Sequence, residues 1–118
     1  MKSIKLKPTK EECIKQLSFD IREGILRSFK THKIKNEGSI YKVLGIGFKS
    51  FKKHIEDQFE PWMSWENYCS NCLTTKIGIS WCIHYKENYV IKTKEDLLKL
   101  NNYKNILILC HSEINKYN

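Results

Sequence analysis

A chain of 118 residues that is 41% hydrophobic and 12% aromatic has room and apolar material for one compact domain, which sets aside a disordered chain. No stretch reaches the roughly 18–20 apolar residues of a membrane span, so the composition offers no membrane-embedded function. The net charge of +8 is unevenly spread: residues 1–54 hold 14 Lys and Arg against 5 Asp and Glu, while residues 55–118 hold 7 against 8.

The opening alternates Lys with single apolar residues rather than forming an apolar run. It predicts no signal peptide and an intracellular location, in cytoplasm or nucleus. The odd count of five Cys then points to thiols or metal ligands rather than disulfides. Thr9 with Glu12 forms a capping box opening a helix whose Ile14, Leu17, Ile21 and Ile25 share one side. Gly24 and Ser28 weaken this helix, which is predicted to fade near Lys30. Residues 31–39 read as a loop, and a short helix over residues 40–44 is broken by Gly45 and Gly47.

In the next helix Phe48, Phe51, Ile55 and Phe59 recur at three- and four-residue steps, with Lys49, Lys52, Lys53 and His54 on the other side. Pro61 is expected to end it. Trp62, Met63, Trp65 and Tyr68 suit core filling better than base stacking. Residues 77–85 read as a strand with a break near Gly78. Thr93 caps a helix over residues 94–100, with Glu95 and Asp96 in its first turn. Residues 106–109 form a second strand, and residues 111–118 a last helical turn or two.

The basic first half is a plausible phosphate-facing surface, with Lys30, Lys33, Lys35, Lys49, Lys52 and Lys53 as its candidate contacts. Lys supplies attraction without the bidentate fork that reads guanine, so weak sequence preference is expected. A merely solvated Lys-rich surface is the competing reading. Cys69 and Cys72 have zinc-ligand spacing, but a structural site needs two further ligands. Cys82, His84, Cys110, His111 and Glu113 are the candidates. Unliganded thiols are an alternative; a redox pair would be expected at a helix start after a strand, which this stretch does not suggest. His84 could deprotonate water, and Asn105 could fix a loop through its two-sided amide. No acid adjoins His84 to hold a divalent cation; the nearest in sequence is Glu87.

Two runs carry a resemblance. Residues 51–59 (FKKHIEDQF) with 63–68 (MSWENY) are similar to the lead-in of HNH endonucleases of phages and large DNA viruses. Residues 92–105 (KTKEDLLKLNNYKN) resemble the stretch between that family's catalytic strand and its central Asn. The resemblance implies an α+β protein: a basic helical N-terminal part over residues 1–39, then a small ββα-metal core over residues 40–118. It implies double-stranded DNA as partner, with magnesium if the site is active, and a virus-infected host cell as one setting.

The family pattern Trp-x-Ile-Asp-His laid on this chain matches Trp81 and Ile83 but places His84 at the Asp and Tyr85 at the His. Counting back from Asn105 makes His84 the general base and Ile83 the missing Asp. Asn105 matches the central Asn, and Ile114, with Asn115 beside it, falls at the last metal position. Cys69, Cys72 and Cys110 match three of the family's four zinc thiols, and Glu113 stands for the fourth. The expectation is a DNA-binding protein with lost or very weak cleavage. A working nuclease with a rearranged site, or a module that binds a protein partner, are the alternatives.

Overall fold

The computed structural model describes residues 8–36, 38–71, 75 and 78–110. The first helix, α1 (Lys10–Thr31), starts at the predicted capping box: the Thr9 N–H donates to Glu12 Oε1 at 2.8 Å and the Glu12 N–H donates to Thr9 Oγ1 at 3.2 Å. These bonds hold the Glu12 carboxyl below its ordinary pKa. Cys13, Leu17, Ile21, Ile25 and Phe29 form its buried stripe, at the three- and four-residue steps that keep one face inward. Gly24 does not interrupt the helix, since Ala-like open space surrounds it and the stripe on either side is packed.

Ser39 caps α2 (Ile40–Leu44), which Gly45 ends in the left-handed region at φ +91°. A Cβ at Gly45 would meet Asn102 Nδ2 at 2.7 Å, and the Asn102 Oδ1 accepts the Lys104 N–H at 2.9 Å. Gly45→Ala is therefore expected to lower stability by about 1–3 kcal/mol through backbone strain and a forced shift of Asn102. Gly24→Ala, in open helical space, should gain about 0.5–1 kcal/mol. Urea midpoints of the two variants check the pair; equal midpoints would remove the steric argument.

Helix α3 (Phe48–Glu56) is shorter than the sequence suggests, closing through a turn at Asp57 and Gln58 before Pro61. Its His54 also departs from expectation: instead of standing with the lysines, it is half-buried and its Nε2 lies 3.1 Å from the Ile106 carbonyl. The Gln58 side chain works beside it, accepting the Ile108 N–H at 3.1 Å. A three-residue 3₁₀ turn, Trp65–Asn67, follows.

The sheet is one antiparallel pair, β1 (Cys82–Tyr85) with β2 (Ile106–Leu109), in the register Cys82↔Leu109 to Tyr85↔Ile106. β1 is shorter than residues 77–85, because Gly78 and Ile79 form a turn; residues 76 and 77 lie outside the described ones. Trp81 instead makes an isolated parallel bridge to Tyr68. Between the strands, α4 (Lys94–Asn101) opens on a Thr93–Asp96 capping box, followed by a 3₁₀ turn at Tyr103–Asn105.

The architecture is α+β: three helices, then a small antiparallel pair with a fourth helix inserted between its strands. The helix expected over residues 111–118 lies outside the described residues. A single core joins α1, α2, α3, Met63, Trp65, Trp81, Leu97 of α4 and Ile106 of β2. The aromatic cluster therefore fills the core, as its non-periodic sequence suggests. No helix among the described residues is long and apolar enough to cross a membrane.

Candidate functional site

Asn105 is 7% exposed, and its amide is fully committed. Its Oδ1 accepts the Glu87 N–H at 2.9 Å, while its Nδ2 donates to the Glu87 carbonyl at 3.0 Å and to the Leu100 carbonyl at 2.9 Å. The Asn105 carbonyl also accepts the Lys86 N–H at 2.8 Å. One side chain thus ties the segment leaving β1 to the end of α4, the loop-fixing task anticipated for it. With both amide hydrogens and one lone pair of Oδ1 engaged by the loop, the Asn105 side chain is held in a loop-positioning role.

His84, paired with Leu107 across the sheet, opens elsewhere, into a hollow of about 160 Å³ between α1 and β1. Asp20, Gly24, Tyr85 and Asn101 line it too, and Asn105 does not. Burial lowers the His84 pKa below the ordinary imidazole value, favouring the neutral ring, which can accept a proton. Tyr85 donates its hydroxyl to Asn101 Oδ1 at 3.0 Å, and its own pKa is raised by burial.

The acid that shares this hollow is Asp20, far upstream on α1 and missed in the sequence reading. No local signal could have found it, since only the packing of α1 on β1 brings it near His84. Asp20 Oδ1 accepts Gln16 Nε2 at 2.9 Å, and Oδ2 accepts the Ser70 hydroxyl at 2.7 Å together with the Tyr68 hydroxyl. Burial, then the Asp20 bond, pushes the Tyr68 hydroxyl far above its usual range. Asp20 Oδ2 therefore binds this helix to the residue 68–70 segment, while Oδ1 bonds within the helix. Among the described residues the one carboxylate lining the hollow with His84, that of Asp20, is hydrogen-bonded on both oxygens, so no free carboxylate there offers a divalent cation a ready ligand.

Cys69 and Cys110 approach the same short stretch of chain. The Cys69 N–H donates to the Trp81 carbonyl at 2.9 Å, and the Cys110 thiol donates to the Ser80 carbonyl at 2.9 Å. Cys13, Cys69 and Cys110 are thiols. Cys82 departs from the expectation of thiols or metal ligands: it is disulfide-bonded, which takes it out of the alternatives for a fourth zinc ligand. Cys72, His111, Glu113, Ile114 and Asn115 lie outside the described residues. Among the described residues no three His, Cys, Asp or Glu groups gather in a metal-holding cluster.

The six candidate lysines form no single cluster. Lys30, near the end of α1, lines a hollow of about 620 Å³ with Phe19, Arg27 and Tyr68. Lys33 follows α1 at φ 55°, and Lys35 lies in the same exposed loop. Lys49, Lys52 and Lys53 stand on α3, where Lys53 Nζ pairs with Asp57 at 3.1 Å in an exposed bridge. Comparisons with family models, curated proteins and solved structures return no match for this chain.

Proposed function

We propose that this protein binds nucleic acid, in the first place duplex DNA, as a relative of HNH endonucleases without efficient phosphodiester cleavage. The observation that carries the reading is the Asn105 amide spanning the Glu87 backbone at 2.9 and 3.0 Å, within an antiparallel pair that holds an inserted helix. An amide spanning the loop in this way is consistent with the loop-fixing role expected of that family's central Asn. The lysine surplus of residues 1–54 supplies the attraction to phosphate, whose contacts use other residues than the chemistry does.

Loss of cleavage follows from the site's chemistry. Hydrolysis needs a base to generate hydroxide and a cation or donor to absorb charge on the leaving oxygen. His84 offers the base. The Asp20 oxygens are engaged by Gln16, Ser70 and Tyr68, and the Asn105 amide by its loop, so both are poorly placed as ligands for a cation. Loss of such positioning costs orders of magnitude in rate. Incubation with plasmid and Mg²⁺, Mn²⁺ or Zn²⁺ is expected to leave the DNA intact under conditions where it is bound. Cleavage that disappears in His84→Ala would overturn this part of the reading.

In the reduced protein, with the Cys82 disulfide open, zinc belongs to the same proposal, held by Cys69, Cys72 and Cys110 with Glu113 or His111 completing the set. The approach of Cys69 and Cys110 to residues 80 and 81 supports it. Protein prepared under reducing conditions is expected to carry about one zinc, and Cys69→Ala to lose metal and thermal stability together. Elemental analysis of unchelated protein checks it; a metal-free chain with unchanged melting in Cys69→Ala would dismiss the site.

A further inference from the structure

Three lysines from the half of the chain with no basic surplus meet around one hollow. Lys86 follows β1, Lys99 stands on α4 and Lys104 lies in the 3₁₀ turn; with Glu87, Tyr89 and Asn105 they line a cavity of about 440 Å³. All three are exposed, and none forms a salt bridge among the described residues. Glu87 is the one acid in the lining, and desolvation together with its negative charge raises the pKa of the Tyr89 hydroxyl.

The lysines stand on a fixed frame. Lys86 is anchored by its N–H bond to the Asn105 carbonyl at 2.8 Å, and Lys104 by its N–H bond to Asn102 Oδ1 at 2.9 Å. Lys104 Nζ lies 5.9 Å from the centre of the Tyr103 ring, whose other neighbour is the His54 ring of α3 at 5.3 Å. The Tyr103 ring thus packs this turn against α3.

We propose that this cavity binds a phosphate group, and that on nucleic acid it takes a backbone phosphate as a contact additional to those of the first half. Three ammonium groups held near one another repel unless an anion sits between them. Lysine meets phosphate as a point charge with three donors, needing no planar fork. The nucleic-acid part rests on the function proposed above; the phosphate site itself does not.

Two measurements on the full chain separate them. The first is the salt dependence of duplex DNA binding in wild type and in the triple variant Lys86→Gln/Lys99→Gln/Lys104→Gln, with Lys94→Gln on the same helix as control. The triple variant is expected to lose about 1 from the log-log slope, at about 0.9 for the one phosphate contact, and the control to lose nothing. An unchanged slope in the triple variant overturns the cavity proposal and leaves DNA binding standing. The second is titration with tripolyphosphate, read from the amide resonances of Glu87 and Asn105. Shifts in wild type that vanish in the triple variant uphold the phosphate site even where DNA fails to bind. No shift in wild type and no DNA binding would remove both.

Discussion

Trp81→Ala is expected to remove about 3–5 kcal/mol of stability, the range for truncating a fully buried aromatic. Trp81 is 0% exposed and its ring packs against Phe59, Trp65 and Tyr68, with centroids 5.0–5.9 Å apart. Its indole N–H donates to the Ser64 carbonyl at 2.7 Å, so truncation also removes that hydrogen bond, although the same carbonyl keeps the Asn67 N–H at 3.1 Å. Domains of this size are stable by only about 5–15 kcal/mol, so the variant should lose a large share of its stability and unfold at a much lower urea concentration. Trp81→Phe keeps most of the packing and loses the hydrogen bond, and should fall between. Urea unfolding followed by far-ultraviolet dichroism reads both. A loss below about 1 kcal/mol in the alanine variant would mean that the cluster is not the centre of the core.

The helices were legible because their signals are local. The Thr9–Glu12 and Thr93–Asp96 boxes fix two helix starts, and the spacing of Leu17, Ile21 and Ile25 fixes a buried face. The strand over residues 106–109 was legible for the same reason, as a short apolar run after turn residues. β1 was overextended because an apolar run does not reveal where pairing stops. Trp81 belongs to a bridge with Tyr68, and only Cys82–Tyr85 find partners in β2. His54 was misplaced because the helical period gives a face but not what packs on it, and the start of β2 lies against that helix.

The site was legible in part. Asn105 could be singled out from the sequence pattern, and its amide does span the loop. Asp20 could not be joined to His84, nor Lys86 to Lys99 and Lys104, because those pairs meet only through packing between elements. Counting charge by halves of the chain hid the second lysine group, since the acids that balance it in sequence need not face it in space. Asp96 is engaged mainly by its own helix start: its Oδ2 accepts the Lys92 and Thr93 N–H groups, and these bonds lower its pKa ahead of the weaker attraction of Lys99.

Binding to duplex DNA is expected to fall steeply with salt. Each phosphate neutralised by a lysine releases condensed counterions, so about five contacts give a log-log slope near −4 to −5. Between about 50 and 200 mM salt that slope corresponds to a loss of affinity of about 10²–10³-fold. Lys49→Ala and Lys52→Ala should each flatten the slope by about 1 where the residue meets a phosphate. Lys53→Ala should do so less, because the Asp57 bridge already neutralises that ammonium in the free protein, and forming the complex must first separate them. Randomised duplexes should bind nearly as well as any single sequence, since lysines contact phosphates and leave base edges unread. Fluorescence anisotropy across the salt range measures all of these quantities in one titration series. Absence of binding at about 50 mM salt would remove the nucleic-acid reading and leave the lysine surplus as a solvated surface, with a protein partner as the next candidate.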